Sequence, residues 1–205
     1  MKRKEIYPNS HLGAKTNLPT VVEGDFLPSR LTRIGRDKFR QLMNYANIQK
    51  GQTILEMFAG SNMGTAILAK RLVYPDRLTA LDLHYGFETG VTWRYVWEEN
   101  YLRQAREEGV KSKRQPNFLA ADARDVPLKD RTFDCILIPD SPRNPQNQAW
   151  QKDLFVIAAL EARRLLKEGG TFGASCYESW AGILKFVFRD IEMQGDGLVN
   201  VRCKR

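Results

Sequence analysis

From Asp37 onward, apolar side chains recur at helical spacing through Phe39, Leu42, Met43 and Ala46. That spacing predicts a helix, which Asp37 is placed to cap. Short apolar runs then alternate with helical patterns. Residues 53–57 (TILEM) read as a buried strand, 65–72 as a helix and 78–82 (LTALD) as a strand. Residues 93–108 read as a helix that stops at Gly109, 117–121 (NFLAA) as a strand and 133–139 (FDCILIP) as a strand. A long helix over 148–167 ends at Gly169-Gly170, a common helix stop. Residues 171–175 (TFGAS) follow as a strand and 179–188 as a helix. The chain closes with two strands over 190–204, joined around Gly195-Asp196-Gly197. Residues 1–30 are rich in Pro, Asn, Gly and Thr, show no period, and read as an extended arm or a partly disordered segment.

Strands alternating with helices predict an α/β fold with a doubly wound, mostly parallel sheet. Seven strands are expected, with helices on both faces and a C-terminal hairpin that places one antiparallel strand. The expected division is an arm over 1–36, a candidate lid or partner contact, and a single domain over 37–205. No internal repeat or low-complexity segment interrupts it.

Composition adds little to the fold but something to the partners. The 205 residues suit one domain, and 42% hydrophobic with 27% charged residues is ordinary for a globular protein. No apolar run approaches the length of a membrane span, and the basic start (Met1-Lys2-Arg3-Lys4) lacks the apolar stretch of a secretory leader. A cytoplasmic protein is expected. Three cysteines, Cys135, Cys176 and Cys203, are an odd number without metal-site spacing. Reduced thiols and no metal site are expected. The net charge of +8 favours an acidic partner, nucleic acid first, against the plainer reading of a merely basic protein. Its basic residues cluster at 2–4, 30–40, 111–114, 163–167 and 202–205.

In sheets of this kind, ligands bind beyond the carboxyl ends of the strands. Four consecutive predicted strands carry an acid there: Glu56, Asp82, Asp122 and Asp140. One such acid is an ordinary turn former or cap. Four at a shared rim suit a ligand with hydroxyls, an amine and a cationic centre. No phosphate-binding G-x-x-x-x-G-K is present. The small residues Ala59, Gly60, Ser61 and Gly64 after the first strand allow close backbone approach to that ligand.

ILEMFAGSNMG, LTALDLH, FLAADARDVPLKDRTFDCILI and LEARRLLKEGGTFGAS together resemble class I S-adenosylmethionine-dependent methyltransferases from about Asp37 to the C-terminus. The resemblance implies S-adenosylmethionine as cofactor. It would be held by Glu56, Phe58, Ala59, Gly60, Ser61 and Asn62 around its methionine part. Asp82 with Leu83 would lie at the ribose, Asp122 with Ala123 at the adenine, and Asp140 at the reacting end. The family often has Gly where this chain has Phe58 and Asn62. Asn tolerates a left-handed backbone better than other non-glycine residues, so the turn is expected to survive.

After the fourth strand, Asp140-Ser141-Pro142-Arg143 resembles in part the [DNS]-P-P-[YFW] motif of amino-methylating nucleic-acid enzymes. Asp140 and Pro142 match it; Ser141 and Arg143 do not. The resemblance implies that Asp140 holds an exocyclic amine, with Pro142 and Arg143 beside it, in an acceptor that is a nucleic-acid base, RNA over DNA. Three alternatives stay open. A small-molecule acceptor would need a lid, from the arm or from residues 85–101, whose Trp93, Trp97 and Tyr101 share a helical face. A pyrimidine-C5 RNA reaction would use Cys176 as nucleophile. A non-catalytic cofactor-binding subunit is the last. His84, Tyr177 and Glu178 are further candidates near the strand ends, and a homodimer or partner subunit is compatible with all of these readings.

Overall fold

Within the first strand, alternate side chains enter different cores. Ile54 packs with Phe39, Ala66 and Leu68, whereas Leu55 and Met57 pack with Phe155, Phe172 and Trp180. A strand buried on both faces is the signature of a sheet covered by helices on both sides. The computed structural model describes residues 32–60, 62–72, 74–82, 93–139, 148–195 and 198–205.

In chain order the elements are α1 (Thr32–Tyr45), β1 (Ile54–Met57), α2 (Met63–Arg71), β2 (Leu78–Leu81), α3 (Trp93–Glu108), β3 (Asn117–Leu119), β4 (Phe133–Ile138), α4 (Gln148–Leu165), β5 (Leu166–Tyr177), α5 (Glu178–Ala181), β6 (Arg189–Gln194) and β7 (Leu198–Lys204). Short 3-10 turns cover Pro75–Arg77 and Gly182–Phe186. The strands form one sheet in the order β3-β2-β1-β4-β5-β7-β6. Strands β1 to β5 pair in parallel, and β7 runs antiparallel between β5 and β6. The expected architecture is therefore the observed one. The order reverses between β1 and β4, the switch at which such sheets open a crevice at their carboxyl edge.

The differences lie at element ends. Helix α1 begins at Thr32, so Asp37 is inside it and pairs with Arg40 at 3.2 Å rather than capping it. The first turns carry no apolar stripe; tertiary contacts hold them, since Arg36 bonds Gln104 at 2.7 Å and reaches Glu107. Helix α4 ends at Leu165, two residues early, and passes directly into β5. Leu166 pairs with Phe133, but Thr171 pairs with Cys135, so residues 167–170 form a bulge. The glycines at 169 and 170 thus serve a bulged strand start, with Gly169 at φ +70. The helix expected over 179–188 is one α-turn followed by a 3-10 turn.

Candidate functional site

The chain leaves β1 through a turn with three left-handed residues, Phe58 (φ 58), Gly60 (φ 49) and Asn62 (φ 62). Phe58 and Asn62 are the two positions at which the resembling family often has glycine. An L-residue in this region costs about 1–2 kcal/mol, so the turn is strained at two points. Asn62 occupies the N-cap position of α2 and is fully buried. The turn is tied down by backbone bonds, Ala59 N–H to the Leu81 carbonyl at 3.1 Å and Asn62 N–H to the Ala59 carbonyl at 3.0 Å.

Asp82 follows β2 immediately. Its carboxylate accepts the Gly60 N–H at 2.9 Å, and its own N–H donates to Leu119 of β3 at 3.2 Å. One acid thus links the ends of three neighbouring strands, while remaining 6% exposed. Asp122 lies in the turn after β3. Its two oxygens accept the Arg124 backbone N–H at 2.9 Å and the guanidinium at 2.5–3.0 Å. The Arg124 bond holds the Asp122 carboxyl below the usual carboxylate range. Ala123 beside it is buried.

Glu56, the first of the four acids expected at the rim, is buried. By strand alternation it shares the face of Ile54 and points under α2, where it is 1% exposed. Thr65 Oγ1 donates to its Oε2 at 2.6 Å. A Cβ on Gly64 would lie 2.2 Å from Glu56 Oε1 and 2.6 Å from the Phe39 ring, so only glycine fits above the carboxyl. Burial pushes Glu56 up to about 8; the Thr65 bond opposes that rise and the Asp82 charge adds to it. The carboxyl therefore supports the turn from beneath.

Of the remaining predicted positions, Ser61, Leu83, His84, Asp140, Pro142 and Arg143 lie outside the described residues, as do the side chains of Trp93 and Trp97. Tyr101 is core: 2% exposed, with its ring set edge-on to Phe118 at 5.7 Å. Cys176, the nucleophile of the pyrimidine-C5 alternative, is fully buried in register with Val199, and burial pushes its thiol up to about 12. A thiol so placed offers neither access nor thiolate. Glu178 is exposed and Tyr177 half-buried, its ring edge-on to Trp180.

Two contributors escaped the reading of the sequence, Arg124 and Thr65. Arg124 is legible only as an arginine two residues beyond an acid. Thr65, and the packing role of Gly64, are legible only once β1 parity sets Glu56 beneath them. Together the turn, Asp82, Asp122 and Ala123 make a ledge along the carboxyl ends of β1, β2 and β3. It offers backbone at close approach and carboxylate oxygens for hydroxyl and amine donors, a donor set that fits a nucleoside carrying a cationic amino-acid arm.

A family model described as a methyltransferase domain matches residues 59–174, from the β1 turn into β5. No curated protein matches the sequence. Among solved structures, an S-adenosylmethionine-dependent methyltransferase from Aquifex aeolicus is similar at a TM-score of 0.60 and 16% identity, over 84% of this chain and 94% of that one. The N-methyltransferase NodS from Bradyrhizobium japonicum is similar at 0.54 and 14%, over 83% and 95%. The Burkholderia thailandensis 1,6-didemethyltoxoflavin-N1-methyltransferase, with 1,6-didemethyltoxoflavin and S-adenosylhomocysteine bound, is similar at 0.50 and 17%, over 84% and 77%. Coverage of the other chain runs from 44% to 95% across similar structures. At these identities the likeness establishes the fold.

Proposed function

Because the chain belongs to the methyltransferase-domain family and is an S-adenosylmethionine-dependent enzyme, we propose that its carboxyl-edge ledge holds that cofactor and that the acceptor is a small molecule. The observation that carries the placement is the Gly60 N–H bond to Asp82, which locks the strained turn against the acid expected at the ribose. In this reading the turn 58–62 receives the methionine part, Asp82 accepts the ribose hydroxyls, and Asp122 with the Ala123 backbone reads the adenine. Arg124 fixes the direction of the Asp122 carboxylate. Glu56 touches nothing of the ligand and acts as a positioning residue beneath the turn.

When bound, the cofactor supplies a methyl group on a cationic sulfur, open to in-line attack. Such a displacement asks the protein chiefly for alignment of the attacking atom. Asp140, one residue beyond the β4 extension at Pro139, is the residue proposed to orient it, accepting a hydrogen bond from an acceptor amine. Pro142 and Arg143 shape that end of the site, with Arg143 available to an acceptor's anionic group.

Two points favour a small acceptor over a nucleic-acid base. The Burkholderia enzyme of the same fold carries a small heterocycle as its acceptor. The Asp140 motif also lacks the aromatic residue on which a base would stack, Arg143 standing in its place. The test is transfer of labelled methyl from S-adenosylmethionine in a total cell extract, separated into small-molecule and acid-precipitable fractions. Label in the small-molecule fraction is the expected result. Label in a nuclease-sensitive polymer would return the acceptor to RNA or DNA. Asp140→Ala should abolish transfer and leave cofactor affinity within about twofold, since it removes an interaction made at the acceptor.

A further inference from the structure

The opposite edge of the same three strands has a different chemistry. The connections entering β1, β2 and β3 carry Lys50, Lys70, Lys111 and Lys113, all exposed. Because β1, β2 and β3 are neighbours in the sheet, parallel topology brings these connections side by side. Two adjoining clefts of about 530 and 480 Å³ lie there, one lined by Lys50 and Lys70, the other by Lys70 and Lys111, so that Lys70 stands between them.

Ion pairing decides which basic residues are available. Arg36 and Arg40 of the 30–40 cluster are engaged by Glu107 and Glu108. Arg164 pairs with Glu161 and Asp130, and Lys167 with Asp134. Arg202 pairs with Glu192. At the amino edge itself the arginines hold the loops: Arg71 bonds the Ile48 carbonyl and Asn44, Arg77 the Gly51 carbonyl, and Arg114 pairs with Asp76. Arg77 and Arg114 also lie over the exposed Tyr74 ring, at 5.6 and 5.0 Å from its centre. Among the described residues, no acid pairs with Lys50, Lys70, Lys111 or Lys113.

We infer that this lysine-lined groove at the amino edge of β1, β2 and β3 is a binding surface for the phosphodiester backbone of a nucleic acid, separate from the methyl-transfer site. Four uncommitted ammonium groups, Lys70 on the last turn of α2 and the others on the loops that the arginines brace, form the electrostatic footprint that phosphates recognise without reading sequence. The groove lies about 13 Å from the cofactor ledge, the length of a four-residue strand at about 3.3 Å per residue. A nucleic acid seated there is a tether or scaffold for the enzyme and leaves the ledge open to a small acceptor. The inference does not depend on the proposed acceptor.

The test uses the full chain and fluorescein-labelled 20-nucleotide RNA and DNA of mixed sequence, read by anisotropy at rising salt. A variant with Lys50, Lys70, Lys111 and Lys113 each changed to Gln is compared with Lys129→Gln/Lys152→Gln/Lys185→Gln, which removes as exposed a set of lysines elsewhere. The groove variant should bind at least about tenfold more weakly, and its log-affinity should fall less steeply with log-salt, by about 0.7 per lysine on single strands. The control should change by less than about twofold. S-adenosylhomocysteine affinity and thermal midpoint should be unchanged in both variants, which separates loss of the groove from loss of the fold. The RNA and DNA arms identify which polymer is preferred. Equal weakening in groove and control variants, or no binding by the unaltered protein at low salt, overturns the inference.

Discussion

Strands β1, β2 and β3 end in two unlike edges. At the carboxyl edge the backbone is strained at Phe58 and Asn62, the acids Asp82 and Asp122 are engaged by N–H donors, and Glu56 is sealed beneath α2. At the amino edge the connections are held by arginine side chains and the lysines reach into solvent. The carboxyl edge spends conformational energy to hold a geometry, as sites built for one ligand do. The amino edge has one left-handed non-glycine residue, Asn47 (φ 53), in the connection entering β1, and its lysines present charge to solvent. The same sheet therefore separates a specific site from an electrostatic one, and a basic net charge says nothing about which edge the acceptor meets.

The sharpest way to break the carboxyl edge is from beneath. Gly64→Ala puts a methyl into the space of Glu56 and Phe39, and overpacking of this kind should cost about 3 kcal/mol, measured by chemical denaturation. Adding Glu56→Ala to it should recover much of that loss; a double variant no more stable than Gly64→Ala would refute the strut. No comparable penalty is expected for any of the four lysines.

Glu56→Gln probes the buried charge. The folded protein keeps the Glu56 proton up to about 8, whereas the unfolded chain releases it near 4.5. Stability contributed by the group is complete below the lower value and declines as pH rises between the two. The glutamine should equal the native protein near pH 4 and exceed it by about 4 kcal/mol at pH 8. A constant difference across that range would mean that Glu56 is ionised in place.

Asp82→Ala should weaken S-adenosylhomocysteine binding about tenfold or more, the scale of a lost hydrogen bond to a charged group, measured by calorimetry. The smallest effect is expected from Asn62→Gly, which should stabilise the fold by about 1 kcal/mol by relieving a left-handed L-residue. If the glycine destabilises, the Asn62 side chain contributes more than its backbone costs.

Much of this was legible in the sequence. The buried runs at 54–57, 78–81 and 133–138 are apolar enough to name themselves, and α3 stops at Gly109 as its pattern requires. Asn62 was readable as a left-handed substitute for glycine. Local pattern fails where tertiary contact decides. Helix α1 extends back to Thr32 because Arg36 finds partners on α3, and α4 yields early to β5 because Leu166 pairs with Phe133. Glu56 looked like a rim acid because an acid near a strand end is visible in sequence. The parity that turns it under Gly64 appears only with its neighbours in place. The burial of Cys176 is likewise set by tertiary pairing, since Val199, its register partner, comes from the far end of the chain.

The most direct test of the central claim is an amide-resolved titration of the isotope-labelled protein with S-adenosylhomocysteine. The account predicts that shifts concentrate at Ala59, Gly60, Asp82 and Ala123, with Lys50, Lys70 and Lys111 unmoved. Shifts centred on the amino edge, or none at Gly60 and Asp82 under saturation, would contradict it.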